Sequence, residues 1–407
     1  MTDFDVVVIG GGAAGFFSAI HAAAQGRNRV AILEKSNKLL SKVRVSGGGR
    51  CNVTHDCDFP SQLIKHYPRG GKSLRKGFDL FGPRETRKWF EDRGVELKVE
   101  SDGRVFPTTD NSETIIECLT REARNSDVEI QLRTEVESVE RRSDSFGLQI
   151  KGGETIKARR VIIATGGHAK TSTYDWLRKL ELKVAEPIPS LFTFNVPDSD
   201  YKDLMGLSVP QAFVQIPGTK WRQDGPLLIT HWGFSAPVVI KLSSWAAIDL
   251  HLRNYQFPIL VNWCGMMEEE VRSHLNAFEQ LNPKKLVRNK ALLELPGRLW
   301  KRILDASGIN DNDRYIDLGK KKKNRLVEML VRHPFEVKGK TTFKEEFVTC
   351  GGVELSDVNL RTFEAKSISG LYLAGEVLNV DGVTGGFNFQ HAWTSGYLAG
   401  SNAAAGQ

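Results

Sequence analysis

The chain has 407 residues, of which 40% are hydrophobic and 26% charged, with a net charge of +7 and a pI near 9.0. At about 150 residues per domain this length suits two or three domains, and no window approaches the roughly 18 consecutive apolar residues of a transmembrane helix. The five cysteines (Cys51, Cys57, Cys118, Cys264, Cys350) are odd in number and scattered, which argues against a disulfide framework or a paired metal or dithiol motif.

Phe4 to Ile9 is an apolar run of the length of a buried parallel strand, entered without a basic leader, so a cytoplasmic location is expected. It runs into Gly10-Gly-Gly-Ala-Ala-Gly15 and then a small-residue helical stretch, Phe16 to Gln25. Arg29 to Leu33 restores a strand that closes on Glu34, completing a βαβ unit of about 30 residues. A glycine-rich loop follows at Ser46 to Gly49. Residues 128 to 164 read as short strands separated by turns, ending in a buried strand that stops at Gly166-Gly167. From about Pro187 the chain turns Pro- and Trp-rich with irregular strand-like pieces, then polar and helical near Met266 to Ser307. A buried strand ending in glycine returns at Gly370 to Glu376, and Gly385 to Ala399 reads as a glycine-started helix. The expected architecture is α/β: a discontinuous Rossmann-type domain (1–185 with 336–407), an inserted β-rich domain (186–264 with 315–335) and a helical subdomain (265–314).

Three segments carry chemistry. In the first, Gly10 permits a tight turn, Gly12 lets backbone approach a pyrophosphate and Gly15 lets helix pack on strand. The helix N-terminus, with Ala13 and Ala14, supplies free N–H groups and a positive dipole end. Glu34, 24 positions after Gly10, is placed to bind ribose hydroxyls and repels a 2′-phosphate, which favours FAD or NAD over NADP. In the second, Lys42, Arg44, Ser46, Gly47, Gly48, Gly49, Arg50, Cys51, Asn52 and Thr54 set exposed backbone N–H groups between cationic and hydrogen-bonding side chains, which suits an anion. Cys51 lacks a partner at disulfide-exchange spacing, so a structural thiol is expected. In the third, Gly375-Glu376, Asp381 and Gly385-Gly386-Phe387-Asn388-Phe389 lead into a helix whose N-terminus could face a flavin ring, with Asp381 orienting ribitol or phosphate.

Phe4–Glu34, the Arg44-Val-Ser-Gly-Gly-Gly-Arg-Cys-Asn-Val-Thr54 loop, Gly103-Arg-Val-Phe-Pro107, Ala164–Gly167, Val348–Val353 and Gly370–Gly396 together resemble the BaiN-like flavoprotein family, also known as the YhiN-like or aminoacetone oxidase family. The resemblance implies non-covalent FAD held by an N-terminal segment and a C-terminal return, with a β-barrel-like insert and a helical subdomain between them, and a small-molecule oxidoreductase; no metal is expected. It adds Lys35, Val136 and Thr165-Gly166-Gly167 to the expected cofactor-binding residues. Departures fall at His55, Asn379 and His168–Tyr174.

Electrons must come from one partner and leave to another, with oxygen or NAD(P)H, the latter as a transient co-substrate, among the expected partners; no second G-x-G-x-x-G unit is present. His231, in Thr230-His-Trp-Gly233, is the candidate acid/base residue, since an imidazole can shuttle a proton near neutral pH. The run Lys320–Lys323 with Arg325 reads most simply as a solvated face, so nucleic acid is not an expected partner. A flavin-dependent tRNA-modifying enzyme and a non-catalytic FAD-binding sensor are the alternatives, and oligomeric state is open.

Overall fold

The computed structural model describes residues 3–24, 28–342 and 348–405. The chain divides into two compact units, Met1–Ser190 with Lys344–Gln407, and Leu191–Phe343.

The first unit is built on five parallel strands in the order Glu129–Leu132, Val30–Glu34, Phe4–Ile9, Thr155–Ile163, Leu371–Leu373. Phe4–Ile9 (FDVVVI) and Val30–Glu34 (VAILE) are near-continuous apolar runs, the first buried from Val6 to Ile9, as strands covered on both faces must be, whereas the edge strand Glu129–Leu132 carries Glu and Gln and is half-exposed. The chain begins at the centre, works outward to one side, then returns to Thr155–Ile163 on the other, so the order reverses at Phe4–Ile9. Ligands of open α/β sheets bind in the crevice at the carboxyl ends of the strands flanking such a reversal. The antiparallel hairpin Val136–Arg141/Phe146–Ile150 pairs with the first half of Thr155–Ile163, and Val358–Asn359 and Glu364–Ala365 complete a mixed sheet of nine strands.

Helix Ala13–Ala23 follows the first strand; Gln25, at the end of the expected helix, lies outside the described residues. It packs on the closing helix, Phe387–Ala405, whose Gly396 brings the two backbones close: a Cβ there would stand 2.9 Å from the Ala14 carbonyl. The strand Val184–Pro189 pairs antiparallel with Thr349–Val353 inside this unit.

The second unit holds a seven-stranded antiparallel sheet in the order His333–Lys338, Gln256–Asn262, Ser208–Gln215, Arg222–Ile229, Gly233–Ser235, Thr193–Asn195, Lys340–Thr341. The two end strands of this order are consecutive in the chain and join at Gly339, whose N–H donates to Tyr255 O (2.8 Å) and whose carbonyl accepts from Asn195 N–H (3.1 Å), so the stretch 333–341 borders Gln256–Asn262 on one side and Thr193–Asn195 on the other. Because His333–Lys338 pairs along Gln256–Val261, residues up to Thr341 belong to this sheet rather than returning to the first unit at 336. The helices Pro237–Leu252, Glu268–Leu281, Gly297–Ala306 and Lys320–Val331 share one core with the sheet, in which Trp263, Trp300 and Tyr315 are buried. No helix of the described residues is long and apolar enough to cross a membrane.

Candidate functional site

Parallel pairing brings the glycine-bearing segments to one edge of the first unit. Gly10 N–H donates to Leu33 O (2.8 Å), Ala164 N–H to Ile9 O (2.9 Å) and Ala374 N–H to Ile163 O (2.9 Å), so each segment starts where its neighbour's ladder ends. Gly10–Gly15, Glu34–Lys35, Thr165–Gly167 and Gly375–Glu376 therefore meet although they span most of the chain. Val136 starts its strand just after Arg133 and Thr134, whose N–H groups donate to Ser36 and Glu34 carbonyls.

The first turn has the form its sequence demands. A Cβ on Gly15 would collide with the Gly10 carbonyl, whereas one on Gly12 would meet nothing within 4 Å. Gly15 is thus a packing glycine and Gly12 faces open space. Helix Ala13–Ala23 has no side-chain cap and no acid in its first turn, leaving its N–H groups and dipole available to an anion. Glu34 accepts from Gly11 N–H and Ser36 N–H, both at 2.8 Å, and each oxygen keeps a further lone pair for a ribose hydroxyl. A free helix N-terminus beside open space and an oriented carboxylate fits the pyrophosphate and ribose of FAD.

The second segment is only partly a loop. Ser41–Gly49 begins as a helix and breaks at Ser46, after which Gly47, Gly48 and Gly49 all take positive φ. Ser46 Oγ donates to Val43 O (3.0 Å). The chain then docks on the closing helix: Thr54 Oγ1 donates to Gln390 Oε1 (2.6 Å), Trp393 Nε1 to Val53 O (2.9 Å), and the Asn52 amide spans Thr54 O and Gly386 N at 2.9 Å each. A Cβ on Gly386 would sit 2.5 Å from Thr54 O, so glycine is what lets the two segments clasp. Cys51 is buried at φ 61°, and burial pushes its thiol up to about 12, which keeps it protonated and unreactive.

The arginines of this segment are engaged with acids. Arg50 donates to Glu100 (2.6 Å) and lies 3.9 Å from the Phe106 ring centre, and Arg44 pairs with Glu113. Lys35 and Lys42 are exposed, as is Arg44. Lys42 Nζ is 2.5 Å from Glu376, whose other oxygen accepts from Thr349 N–H (2.9 Å). Burial, then Lys35 and Lys42, depresses His168 to about 4. His168 belongs to the departure segment, a 3₁₀ turn at Thr171–Tyr174, and its N–H donates to Tyr174 Oη (3.0 Å). Gly167 is glycine for a local reason: a Cβ would stand 2.6 Å from the Glu376 carboxylate.

Two residues of the third segment are placed otherwise than expected. Asp381, expected to orient ribitol or phosphate, is instead fully buried, its oxygens taken by Arg69 and Ser190. A carboxylate removed from water must be paired, and the Pro68-Arg69-Gly70 turn supplies the partner. Asn388 folds back on Gly382, accepting from its N–H (2.8 Å) and donating to its carbonyl (2.9 Å). Phe387 stacks on His66 at 4.3 Å, with His55 4.7 Å away, and Phe389 stacks on Trp393 at 5.8 Å. His391 Nε2–H donates to Gly375 O (3.1 Å), leaving Nδ1 buried without a partner, and burial depresses this imidazole to about 4.

Sequence reasoning missed Arg69 and His66, since neither sits in a motif and only folding brings them to the closing helix. His231 is exposed between the strands Arg222–Ile229 and Gly233–Ser235 of the second unit, edge-on to Trp232 at 4.3 Å. All five cysteines are free, and no group of three or more His, Cys, Asp or Glu suited to a metal occurs among the described residues.

Comparison with solved structures gives the fold. Sterolibacterium denitrificans 3-ketosteroid delta1-dehydrogenase aligns with TM-score 0.55 at 13% identity over 99% of this chain and all of that one. A flavocytochrome c3 fumarate reductase aligns with TM-score 0.52 at 18% identity, over 98% of this chain and 78% of that one. Among curated proteins, an Escherichia coli K12 protein named ribosomal RNA dihydrouridine synthase is 30% identical over 98% of this chain and 97% of its own length. A Clostridium scindens protein named 3-dehydro-bile acid delta(4,6)-reductase is 28% identical over 98% of each. The family model described as HI0933-like protein Rossmann domain matches residues 4–402. With its parallel sheet, its glycine turn and Glu34 at the end of the second strand in place, the chain belongs to the HI0933-like family of FAD-binding, Rossmann-type oxidoreductases.

Proposed function

We propose that this protein is an FAD-dependent reductase that saturates a ring carbon–carbon double bond conjugated to a carbonyl, with reduced nicotinamide as electron source and a uracil of ribosomal RNA as substrate. The carrying observation is the convergence of Gly10–Gly15, Glu34, Thr165–Gly167 and Gly375–Glu376 at the sheet's reversal point. The names of relatives sharing nearly the whole chain support the rest, because a dihydrouridine synthase and a delta(4,6)-reductase both act on a ring double bond. The reaction balances as ring C=C plus NAD(P)H plus a proton giving the saturated ring and NAD(P)⁺. FAD supplies the two-electron transfer when bound.

The chain's own residues have distinct parts in this reading. The Ala13 helix N-terminus and the open space at Gly12 receive the pyrophosphate, and Glu34 holds the adenosine ribose. Lys35 and Lys42 add positive charge near that edge. The N–H groups after Gly386 start the closing helix and oppose negative charge on a reduced ring. His231 delivers the proton that completes saturation, and His55 and His66 beside Phe387 are the other imidazoles suited to it.

The second reading, a reductase of small cyclic enones, is favoured by the Clostridium scindens relative. Purified protein should show an oxidised-flavin band that bleaches on anaerobic addition of NADPH or NADH. Mass analysis of ribosomal RNA from cells with and without the gene then separates the readings. Loss of one dihydrouridine in the deleted strain supports the RNA substrate, whereas unchanged RNA with turnover of an added steroid enone favours the small molecule. A protein that never takes up FAD defeats both.

A further inference from the structure

Positive charge in this chain is concentrated in one segment. Residues 283–332 hold fourteen Lys and Arg against six Asp and Glu, an excess of eight, while the whole chain carries only +7. The other 357 residues are therefore slightly acidic, with 42 basic against 43 acidic side chains.

Most acids of the segment are already engaged: Asp305 and Asp311 with Arg288, Asp313 with Lys322, and Glu328 with Arg325. Lys323 and Arg332 use Glu279 and Glu268 from the preceding helix. Lys284, Lys285, Arg314, Lys320 and Lys321 remain exposed, with no ion pair among the described residues. Backbone pairing gathers them. Leu286 and Arg314 form an antiparallel bridge, Tyr315 N–H donates to Lys285 O (3.1 Å) and Ile316 N–H to Pro283 O (2.9 Å). The strand-like stretch then enters the helix Lys320–Val331, and the Lys322–Asp313 pair ties the helix back to it.

That helix starts against its own electrostatics. Four lysines occupy its first turn, at the positive end of the dipole, with no acid there and no side-chain cap at Gly319. The neighbouring helix Glu268–Leu281 has the ordinary arrangement, three glutamates in its first turn and a capping box. A local choice that opposes the fold points to a demand other than folding. The apolar residues of the lysine helix, Leu326, Val327, Met329, Leu330 and Val331, are all buried, so it has no apolar face to insert into lipid.

We propose that Lys284, Lys285, Arg314, Lys320 and Lys321 form a docking surface on the second unit for the phosphate backbone of RNA, independent of sequence. The proposal rests on the RNA reading above and deepens it by naming the surface that holds the substrate's backbone. Each phosphate neutralised releases counterions, so binding must weaken steeply with salt, and losing a contact must flatten that dependence.

The test is anisotropy titration of the full FAD-loaded protein against a fluorescein-labelled, uridine-containing ribosomal RNA hairpin, from 50 to 300 mM salt (about the range over which such contacts titrate). Three proteins are compared: the parent, a variant carrying Lys284→Gln, Lys285→Gln, Lys320→Gln and Lys321→Gln, and a control carrying Lys72→Gln, Arg75→Gln and Lys76→Gln on the exposed face of helix Gly71–Leu80. The quadruple variant should keep its flavin spectrum, bind RNA at least about tenfold more weakly at 50 mM salt, and lose roughly 0.7–0.9 of salt slope per contact removed. The control should match the parent. The single variant Lys321→Glu supplies the check that folding is intact: it should raise the melting temperature by relieving the helix end while lowering RNA affinity.

An unchanged slope in the quadruple variant, or an equal loss in the control, overturns the surface even if dihydrouridine depends on the gene. If the parent binds no RNA, the surface falls as well, and the mass analysis of ribosomal RNA decides separately whether the substrate reading survives. Loss of binding to phosphatidylserine vesicles with RNA affinity unchanged would also overturn it, in favour of a membrane contact.

Discussion

Arg69 closes on Asp381 with both edges of its guanidinium, Nε donating to Oδ1 at 2.6 Å and a terminal nitrogen to Oδ2, while Ser190 donates to the same carboxylate. Asp381 is wholly buried, so this pair fixes the turn that leads through Gly386 into the closing helix, the element carrying Gln390 and His391. Removing one partner leaves a buried charge uncompensated, which costs about 3–5 kcal/mol. Arg69→Ala should therefore lower the urea midpoint strongly and release FAD, whereas Arg44→Ala, whose exposed pair with Glu113 is solvated, should lower the unfolding free energy by less than about 1 kcal/mol and barely move the midpoint. Equal shifts in the two variants would show that the Arg69 pair has no special structural weight.

Gly12 and Gly15 separate ligand binding from folding. Gly15→Ala drives a methyl into the Gly10 carbonyl and should cost about 1–3 kcal/mol of stability whether or not FAD is present. Gly12→Ala meets only open space in the protein itself, so the apoprotein should melt unchanged while FAD affinity falls at least about tenfold, or 1.4 kcal/mol. Thermal melts of apo and FAD-loaded forms read both effects, and a Gly12 variant that binds FAD normally would remove the pyrophosphate from this turn.

Acid should destabilise the protein through its buried imidazoles. His391 and His333 are buried and held near 4, against about 6.5 in an unfolded chain. Between these values the unfolded state binds more protons, so stability is complete above pH 6.5 and falls as pH drops towards 4. Each group can contribute up to about 3 kcal/mol of that loss. Denaturation midpoints from pH 7.5 to 4.5 should therefore decline, and His391→Gln should flatten the decline. An identical pH slope in that variant would mean that His391 does not titrate on unfolding.

His231→Ala should retain FAD and the rate of flavin reduction by nicotinamide, because the residue lies outside the FAD-binding unit. Substrate turnover should fall about 10²–10⁴-fold, the usual share of a general acid. Rapid-mixing measurements of the two half-reactions distinguish these effects. Normal turnover would shift the proton to His66 or His55, where the same substitution would then be informative.

The sequence by itself determined the local chemistry of the cofactor edge. Gly10-x-Gly12-x-x-Gly15 between an apolar strand and a small-residue helix, with Glu34 ending the next strand, admits few backbone paths, because steric limits on φ and helix–strand distance act within a few residues. The family resemblance rested on the same segments. Long-range pairing lay beyond it. That Asp381 turns inward to Arg69, that Thr54 meets Gln390, and that Lys42 reaches Glu376 across 334 positions follow from burial and charge compensation in the assembled core. The pairing of the second sheet was equally hidden, since period-2 patterning fixes which face of a strand is buried but not that the stretch 333–341 lies between Gln256–Asn262 and Thr193–Asn195. Only tertiary structure supplies those decisions: they depend on which polar groups lose water together, and that is a property of the packed interior rather than of any stretch of chain.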